Sequence, residues 1–267
     1  MPDACMDQGA SLRALTPRAS LRLVAVICHG DPRAELPLLW QLCSALDACG
    51  DRVAVLDAST AESQGRPGLQ QLVDQSLWLS DLTGNAPAWP VLPAALGLQS
   101  LRHKGGARQP DLQTLGQLFK SYGVIVVYGR TEPLATWLSA CGATPLVAVS
   151  PEKATVLSAY QALKRSRQAG LTPTLVSLID DSAENGEENA RQKAESVSQT
   201  MRHCAKTYLG CDMEVLTIRS NPPEERPSDD IRRLALHLLE NAVAICQDAV
   251  VPSWGTTGAQ MPIVRSH

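Results

Sequence analysis

The stretch LRLVAVICHGDPRAELPLLWQLCSALDACGDRVAVLDAS, residues 21–59, decides the fold. It opens with an unbroken apolar run, passes through a short turn into a helical pattern, and ends on a second apolar run at 53–58. Across 35–49 the apolar side chains recur every three or four positions, and Gly50 stands where a helix commonly ends. Apolar runs without alternation are typical of strands buried on both faces. The stretch therefore predicts a strand–helix–strand unit with parallel strands.

The same alternation of apolar runs and helical patterns continues along the chain. Further strands are predicted at 123–129, 145–150, 173–179 and 213–218. Further helices are predicted over 134–141, from Pro151 to 168, over 188–208, and from the capping residue Ser228 to about residue 248. This order predicts an α/β fold: a doubly wound, mostly parallel sheet with helices on both faces.

Two regions interrupt the pattern and define the expected domain organisation. Residues 59–115 are rich in Pro, Gly and Trp and predict only short helical pieces, and the acidic segment 181–190 predicts a solvated loop. We expect one α/β domain over 21–248, a weakly structured N-terminal arm over 1–20, and a flexible tail over 249–267.

Composition limits the classes of function. The chain has 267 residues, 44% of them apolar, and a net charge of −3, so it lacks the basic excess typical of nucleic-acid binders. No apolar run reaches the roughly 18 residues that a membrane-spanning helix needs, and the N-terminus does not resemble a secretory signal. The eight cysteines form no C-x-x-C pair, and the five histidines have no spaced metal partner. These features favour a cytoplasmic protein without a metal site.

The first β–α turn reads CHGDPRAEL over 28–36, and it is where an α/β sheet most often binds phosphate. Phosphate loops need several glycines and a lysine followed by Ser or Thr. This turn has one glycine, Pro32 lacks an N–H, and Asp31 and Glu35 add negative charge, which Arg33 offsets only in part. An unusual phosphate loop is one interpretation, but the residues favour an ordinary β–α turn.

Four further stretches match the sequence pattern of a known family: GDRVAVLDAS at 50–59, WPVLPAALGLQSL at 89–101, SPEKATVLSAYQALK at 150–164 and MRHCAKTYLGCDMEVL at 201–216. With these segments the chain resembles MinD/ParA-type ATPases, and most closely the FlhG (FleN) flagellar-number regulators within that family. The resemblance spans about residues 6–248. It implies a P-loop NTPase fold of the MinD type.

The chain departs from this family at the positions that bind nucleotide and magnesium. The departing positions are Gly30, Ala34, Glu35 and Leu36 in the loop, Ser59 after the second strand, and Tyr128 and Ser177 on later strands. Glu35 replaces the phosphate-binding lysine, Leu36 the magnesium-binding Ser/Thr, and Tyr128 the switch aspartate, whereas Asp57 is kept. The resemblance thus implies a lost ATPase activity, no nucleotide or metal cofactor, and a monomer, because no ATP bridges two subunits.

The N-terminal arm keeps a motif of the family, although the nucleotide site has lost its own motif. Residues 7–15 read DQGASLRAL and resemble the D-Q-A-x-x-L-R-x-L motif of FlhG-like proteins, which docks on the SRP-type GTPase FlhF and stimulates its hydrolysis. Gln8 is suited to orient a water, Leu12 and Leu15 form a small apolar face, and Arg13 is suited to an acidic partner. Asp7 completes the candidate partner-binding set.

The leading prediction is an FlhG-like pseudo-ATPase that regulates flagellar number or placement through contacts with FlhF or another flagellar or polar assembly protein. One alternative is an active ATPase with a non-standard phosphate loop, and another is a MinD-like scaffold for a different cell-envelope machine. A Cys28–His29 nucleophile is disfavoured because Asp31 opposes a thiolate. The apolar stripe of the final helix is expected to pack on the sheet, since its polar face is too acidic for a membrane surface.

Overall fold

The computed structural model describes residues 20–83, 89–105, 110–179, 186–219 and 227–245. Within these ranges the chain forms eight strands. They are β1 (Leu21–Cys28), β2 (Val53–Asp57), β3 (Val91–Pro93), β4 (Val124–Arg130), β5 (Pro145–Val149), β6 (Thr174–Ile179), β7 (Val215–Arg219) and β8 (Val243–Ile245).

Helices connect these strands. In the described ranges they are α1 (Pro32–Ala48), α2 (Leu69–Val73), α3 (Leu79–Thr83), α4 (Ala95–Lys104), α5 (Leu112–Leu118), α6 (Thr131–Cys141), α7 (Lys153–Gln168), α8 (Glu187–Leu209) and α9 (Asp229–Glu240). Helix α1 ends just before Gly50, whose φ of +92° suits glycine, and Ser228 caps α9 by accepting the Ile231 N–H. Both helix ends confirm the predictions.

The strands lie in the order β3-β2-β4-β1-β5-β6-β7, and every pairing along this order is parallel. The predicted doubly wound, mostly parallel sheet is therefore confirmed. β1 lies between β4 and β5, and its last residue, Cys28, is in register with Arg130 at the end of β4. The carboxyl ends of the central strands thus meet around the turn between β1 and α1.

Helices cover both faces of the sheet because the side chains of each strand point alternately to opposite sides. Val24 and Val26 of β1 pack toward α1 and α9, whereas Leu23 and Ala25 belong to the core under α2, α4, α5 and α6. A third cluster joins the end of β1 to α7 and α8. The apolar stripe of α9, including Ile231, is buried on the sheet, as predicted.

The structure differs from several of these predictions. The final helix was expected to reach about residue 248, but it ends at Glu240, and Val243–Ile245 pairs antiparallel with the start of β1. The region 59–115 was expected to hold only helical pieces, yet β3 pairs with β2 there. Helix α7 begins at Lys153, two residues after the predicted Pro151, and Ser150 before it donates its hydroxyl to Asp31.

A buried carboxylate orders the region 59–115. Glu62 is 6% exposed and accepts N–H groups from Gln70 at the start of α2 and from Leu96 and Gly97 at the start of α4, at 2.8–3.1 Å. Helix N-termini carry unpaired N–H groups and partial positive charge, which a carboxylate satisfies. Glu62 therefore ties together two helices of five and ten residues, which are too short to be stable on their own.

Candidate functional site

The backbone of the turn between β1 and α1 directs three N–H groups to one point. Gly30 has a φ of +106°, in the left-handed region that favours glycine, and the helix then begins at Pro32, where a missing N–H costs nothing. Asp31 is the N-cap and accepts the Ala34 N–H. As a result, the N–H groups of His29, Gly30 and Asp31 point to one spot; we call these three N–H groups the amide cradle.

The Glu35 carboxylate occupies the amide cradle. Its Oε1 accepts the N–H of His29 at 2.8 Å and those of Gly30 and Asp31 at 3.2 Å each, and the residue is only 1% exposed. Successive N–H groups converging on one oxygen form the kind of concave site that binds anions. The expectation of an ordinary β–α turn is therefore wrong in one respect: the turn keeps an anion-binding geometry, and Glu35 of the same chain fills it.

The second oxygen of the same carboxylate contacts β4. Tyr128 donates its hydroxyl to Glu35 Oε2 at 2.9 Å. Burial, and next the Glu35 charge, raise the pKa of Tyr128, so its hydroxyl stays protonated and keeps donating. The carboxylate thus joins the loop to the end of the neighbouring strand with four hydrogen bonds.

His29 fastens the loop on its other side. Its Nε2 lies 2.6 Å from the carbonyl oxygen of Ala148 on β5, and its Nδ1 lies 3.0 Å from the hydroxyl of Ser158 on α7. A carbonyl oxygen only accepts, so Nε2 carries the hydrogen. With both ring nitrogens engaged, His29 is a structural link and is not poised to activate a nucleophile.

Asp31 makes a parallel link to the β5–α7 connection. Its Oδ2 accepts the hydroxyls of Ser150 at 3.1 Å and Thr155 at 2.9 Å. These two residues belong to the segment 150–164, which carries the most specific part of the family resemblance. The negative charge of Asp31 is therefore satisfied within the protein.

The positions that correspond to magnesium ligands in the family have other surroundings here. The Leu36 side chain is 49% exposed and offers no oxygen. Asp57 accepts the N–H and hydroxyl of Ser59 and the hydroxyl of Thr60, all within 3 Å, so both carboxylate oxygens are used in a local turn. Within the described ranges, no group of three or more His, Cys, Asp or Glu side chains is arranged to hold a metal ion.

The Cys28 thiol is not set up as a nucleophile. Burial first, and the Glu35 carboxylate second, raise the pKa of Cys28 to about 11, while the nearby Arg130 lowers it to a smaller extent. A thiol with that pKa is almost fully protonated near neutral pH. The protonated Cys28 thiol therefore opposes the disfavoured Cys28–His29 alternative, and both ring nitrogens of His29 already contact other groups.

A cavity of about 280 Å³ opens beside the loop. His29 and Gly30 form one wall, Arg130 and Glu132 at the start of α6 another, and Arg165 of α7 a third. Arg165 pairs with Glu132 at 2.8 Å, with both side chains more than half exposed. The cavity gives solvent a route to the outer side of the amide cradle.

The structure brings together some of the sequence-predicted residues and separates others. Gly30, Glu35 and Tyr128 meet at the cradle, with Ala34 buried beside them. Asp57 and Ser59 bond each other, and the Ser177 hydroxyl is buried against Ala194 of α8. Of the others, Leu36 is at the surface, and the partner-binding candidates Asp7, Gln8, Leu12, Arg13 and Leu15 lie outside the described residues.

Sequence reasoning missed the residues that fasten the loop from β5 and α7. Ser150, Thr155 and Ser158 were recognised only as part of a matching segment, without a role. Small hydroxyl residues flanking Pro151 at a strand–helix junction are the signal that points to such contacts.

The described helices include none that is long and apolar enough to cross a bilayer.

Several solved structures have a similar fold. The cell division ATPase MinD of Pyrococcus furiosus superposes with a TM-score of 0.49 and 14% identity, covering 82% of this chain and 98% of that chain. A ParA family ATPase from Chlorobium tepidum TLS gives 0.48 and 13%, over 81% and 99%. A chain of the MinC:MinD cell division protein complex of Aquifex aeolicus gives 0.43 and 16%, over 79% and 85%. No family model matches the sequence, and no curated protein matches it.

Proposed function

We propose that this chain is an FlhG-like pseudo-ATPase that regulates flagellar number or placement through protein contacts. The single observation that carries the loss of ATPase activity is the Glu35 carboxylate in the amide cradle. The resemblance of segments 50–59 and 150–164 supports the family, and the motif at 7–15 supports a partner GTPase.

The occupied cradle opposes nucleotide binding in two ways. A phosphate group needs the N–H groups that Glu35 already accepts, and hydrogen bonds to a charged group are each worth about 1.5–3 kcal/mol. A phosphate placed beside the carboxylate also meets a like charge, at a cost of about 1–4 kcal/mol near 4 Å. Neither a lysine nor a magnesium-binding hydroxyl stands at positions 35 and 36 to compensate.

The ends of the described chain lie far from the loop. Leu21 at the start of β1 is in register with Ile245 of β8, at the amino end of the sheet. The eight residues of β1 separate this point from the cradle by about 26 Å. The arm therefore joins the described chain at the amino end of the sheet, and the cradle lies at the carboxyl end.

Calorimetry with magnesium and ATP tests the first half of the proposal. The full chain is expected to give no saturable heat at micromolar to millimolar ATP, whereas a nucleotide-binding ParA-type ATPase run in parallel gives a normal isotherm. Micromolar binding by this chain would refute the pseudo-ATPase proposal and favour the alternative of an active ATPase with a non-standard loop.

Hydrolysis assays with the partner GTPase test the second half. The full chain is expected to stimulate GTP hydrolysis by FlhF, and Gln8→Ala is expected to abolish the stimulation. Glu188→Ala on the exposed side of α8 serves as the matched control and is expected to stimulate normally. Equal stimulation by Gln8→Ala would remove the role of the arm. A pull-down without any flagellar component would instead favour a scaffold for another cell-envelope machine.

A further inference from the structure

A cavity of about 320 Å³ lies between α4 and α6, on the face of the sheet opposite to α1. Its volume falls in the range of about 300–1,000 Å³ that is typical of small-molecule sites. Ala58, just after β2, lines it from the sheet side, and the two helices form its walls. The residues that line it differ from those of the cavity beside the amide cradle, so the two are separate.

The helical repeat of α4 and α6 explains how the walls are formed. Ala95, Leu98 and Arg102 are three or four positions apart, so they lie on one face of α4. Pro133 and Trp137 are four positions apart and lie on one face of α6. Helix α4 packs against α2 and α5 on its other sides. The cavity therefore separates two helix faces that are otherwise apolar apart from Arg102 and its neighbour on α4.

The two walls are in step along the sheet. Asp57 of β2 is in register with both Pro93 of β3 and Tyr128 of β4. Helix α4 begins two residues after Pro93, and α6 begins three residues after Tyr128. Arg102 is the eighth residue of α4 and Trp137 the seventh of α6, so at about 1.5 Å per residue they lie at a similar distance from the carboxyl edge of the sheet. The two side chains therefore line the same end of the cavity.

The polar groups at this end are donors. The Trp137 side chain is 2% exposed, and its indole N–H has no hydrogen-bond partner in the described part of the chain. Buried donors are nearly always paired in folded proteins, so an unpaired one beside a cavity indicates a missing acceptor. Among the described residues that line the cavity, Arg102 supplies the only charge and Gln99 the only side-chain amide. The lining therefore favours an anionic oxygen and disfavours a cation.

We propose that the cavity between α4 and α6 binds a small carboxylate with an apolar body. The carboxylate lies between the Arg102 guanidinium and the Trp137 indole N–H, and the apolar body packs on the Leu98 and Leu134 side of the cavity. A carboxylate has two acceptor oxygens, so it can accept from both donors at once. This inference goes beyond the proposed function, because it needs neither the N-terminal arm nor the nucleotide site.

Calorimetric titration of the full chain with octanoate, octanol and octylamine tests the proposal, because these three compounds share one apolar chain and differ in the charge of the head group. Octanoate is expected to bind saturably and about tenfold more tightly than octanol, since hydrogen bonds to a charged acceptor are stronger than those to a neutral one. Octylamine should not bind. Equal affinities for octanoate and octanol would overturn the proposal, and so would the absence of saturable binding of octanoate at millimolar concentrations.

Three variants of the full chain locate the site. Arg102→Gln should weaken octanoate binding about tenfold. Ala95→Leu, which fills the cavity without removing a donor, should abolish the binding. Arg232→Gln on the exposed side of α9 is the matched control and should bind octanoate as the unmodified chain does. Unchanged affinity in both Arg102→Gln and Ala95→Leu would place octanoate elsewhere on the protein and would overturn the proposal.

The indole N–H of Trp137 gives a direct spectroscopic readout. In nitrogen-edited NMR spectra each of the five tryptophans gives its own side-chain N–H signal, and Trp137→Phe identifies the signal of Trp137. Octanoate should move this signal downfield as the hydrogen bond forms, and octanol should move it less. A Trp137 signal that stays in place at saturating octanoate would overturn the proposal, because the N–H would then still lack its acceptor.

Discussion

At the residue scale, Gly30 determines the direction of the cradle N–H groups. Its φ of +106° costs an L-residue about 1–2 kcal/mol, although no atom lies within 4 Å of the place where a Cβ would stand. We therefore expect Gly30→Ala to destabilise the protein by about that amount in urea unfolding. Gly65→Ala, in a turn that is equally open but outside the left-handed region, should change stability by less than about 0.5 kcal/mol.

Cys28 lies one residue before the cradle, and the reactivity of its thiol reports the effect of the Glu35 charge. Because burial and the Glu35 carboxylate hold its pKa near 11, we expect iodoacetamide at pH 7.5 to spare Cys28 while it labels the exposed Cys49. Peptide mass spectrometry of the native protein measures both rates. Labelling of Cys28 as fast as Cys49 would mean that the thiol is activated, in favour of the nucleophile alternative.

At the element scale, Glu62 accepts N–H groups at the starts of α2 and α4, as Glu35 accepts N–H groups of the β1–α1 loop. Each carboxylate is buried and accepts three backbone N–H groups. Glu62→Ala leaves these donors unsatisfied, so we expect a loss of about 1–3 kcal/mol in the free energy of unfolding. Glu62→Gln, which retains one acceptor oxygen, should lose less, and the exposed Glu188→Ala should lose almost nothing. Equal stability of all three variants would exclude this role of Glu62.

The elements that sequence alone predicts are those whose own residues determine them. The central strands, such as β1 with its eight apolar-rich residues, are recognisable because both faces are buried. In contrast, β3 and β8 have three residues each and pair with β2 and β1, respectively. A local sequence pattern does not indicate such pairing between distant segments. The bond from Tyr128 to Glu35 spans 93 positions and was equally out of reach.

The candidate site was predictable only where it depends on the identity of single residues. The missing lysine and the negative charge at position 35 are visible in the sequence, and they are the basis of the prediction that the turn is unsuited to triphosphate. That the carboxylate bends back into its own loop depends on the φ of Gly30 and on the burial of the side chain. Both are properties of the folded chain.

At the scale of the whole molecule, buried thiols on both faces of the sheet make stability fall at alkaline pH. Burial raises the pKa of Cys43 and Cys141 from about 9 to about 12, and that of Cys28 to about 11. Between pH 9 and 12 the unfolded chain has released thiol protons that the folded chain retains, so stability decreases as pH rises. We expect the urea midpoint to drop from pH 8 to 10.5, with a shallower drop in Cys43→Ala than in the exposed Cys49→Ala.

The proposed function also leads to an expectation for the oligomeric state, which depends on the amide cradle. In the family that this chain resembles, ATP bridges two subunits, and a cradle filled by Glu35 leaves no position for the bridging phosphates. We therefore expect light scattering to give the mass of one chain, unchanged by magnesium and ATP. Glu35→Ala should remain monomeric as well, because it still lacks the lysine and the magnesium-binding hydroxyl. A dimer that forms only with ATP would contradict this prediction, since it would require nucleotide to displace the carboxylate from its three N–H groups.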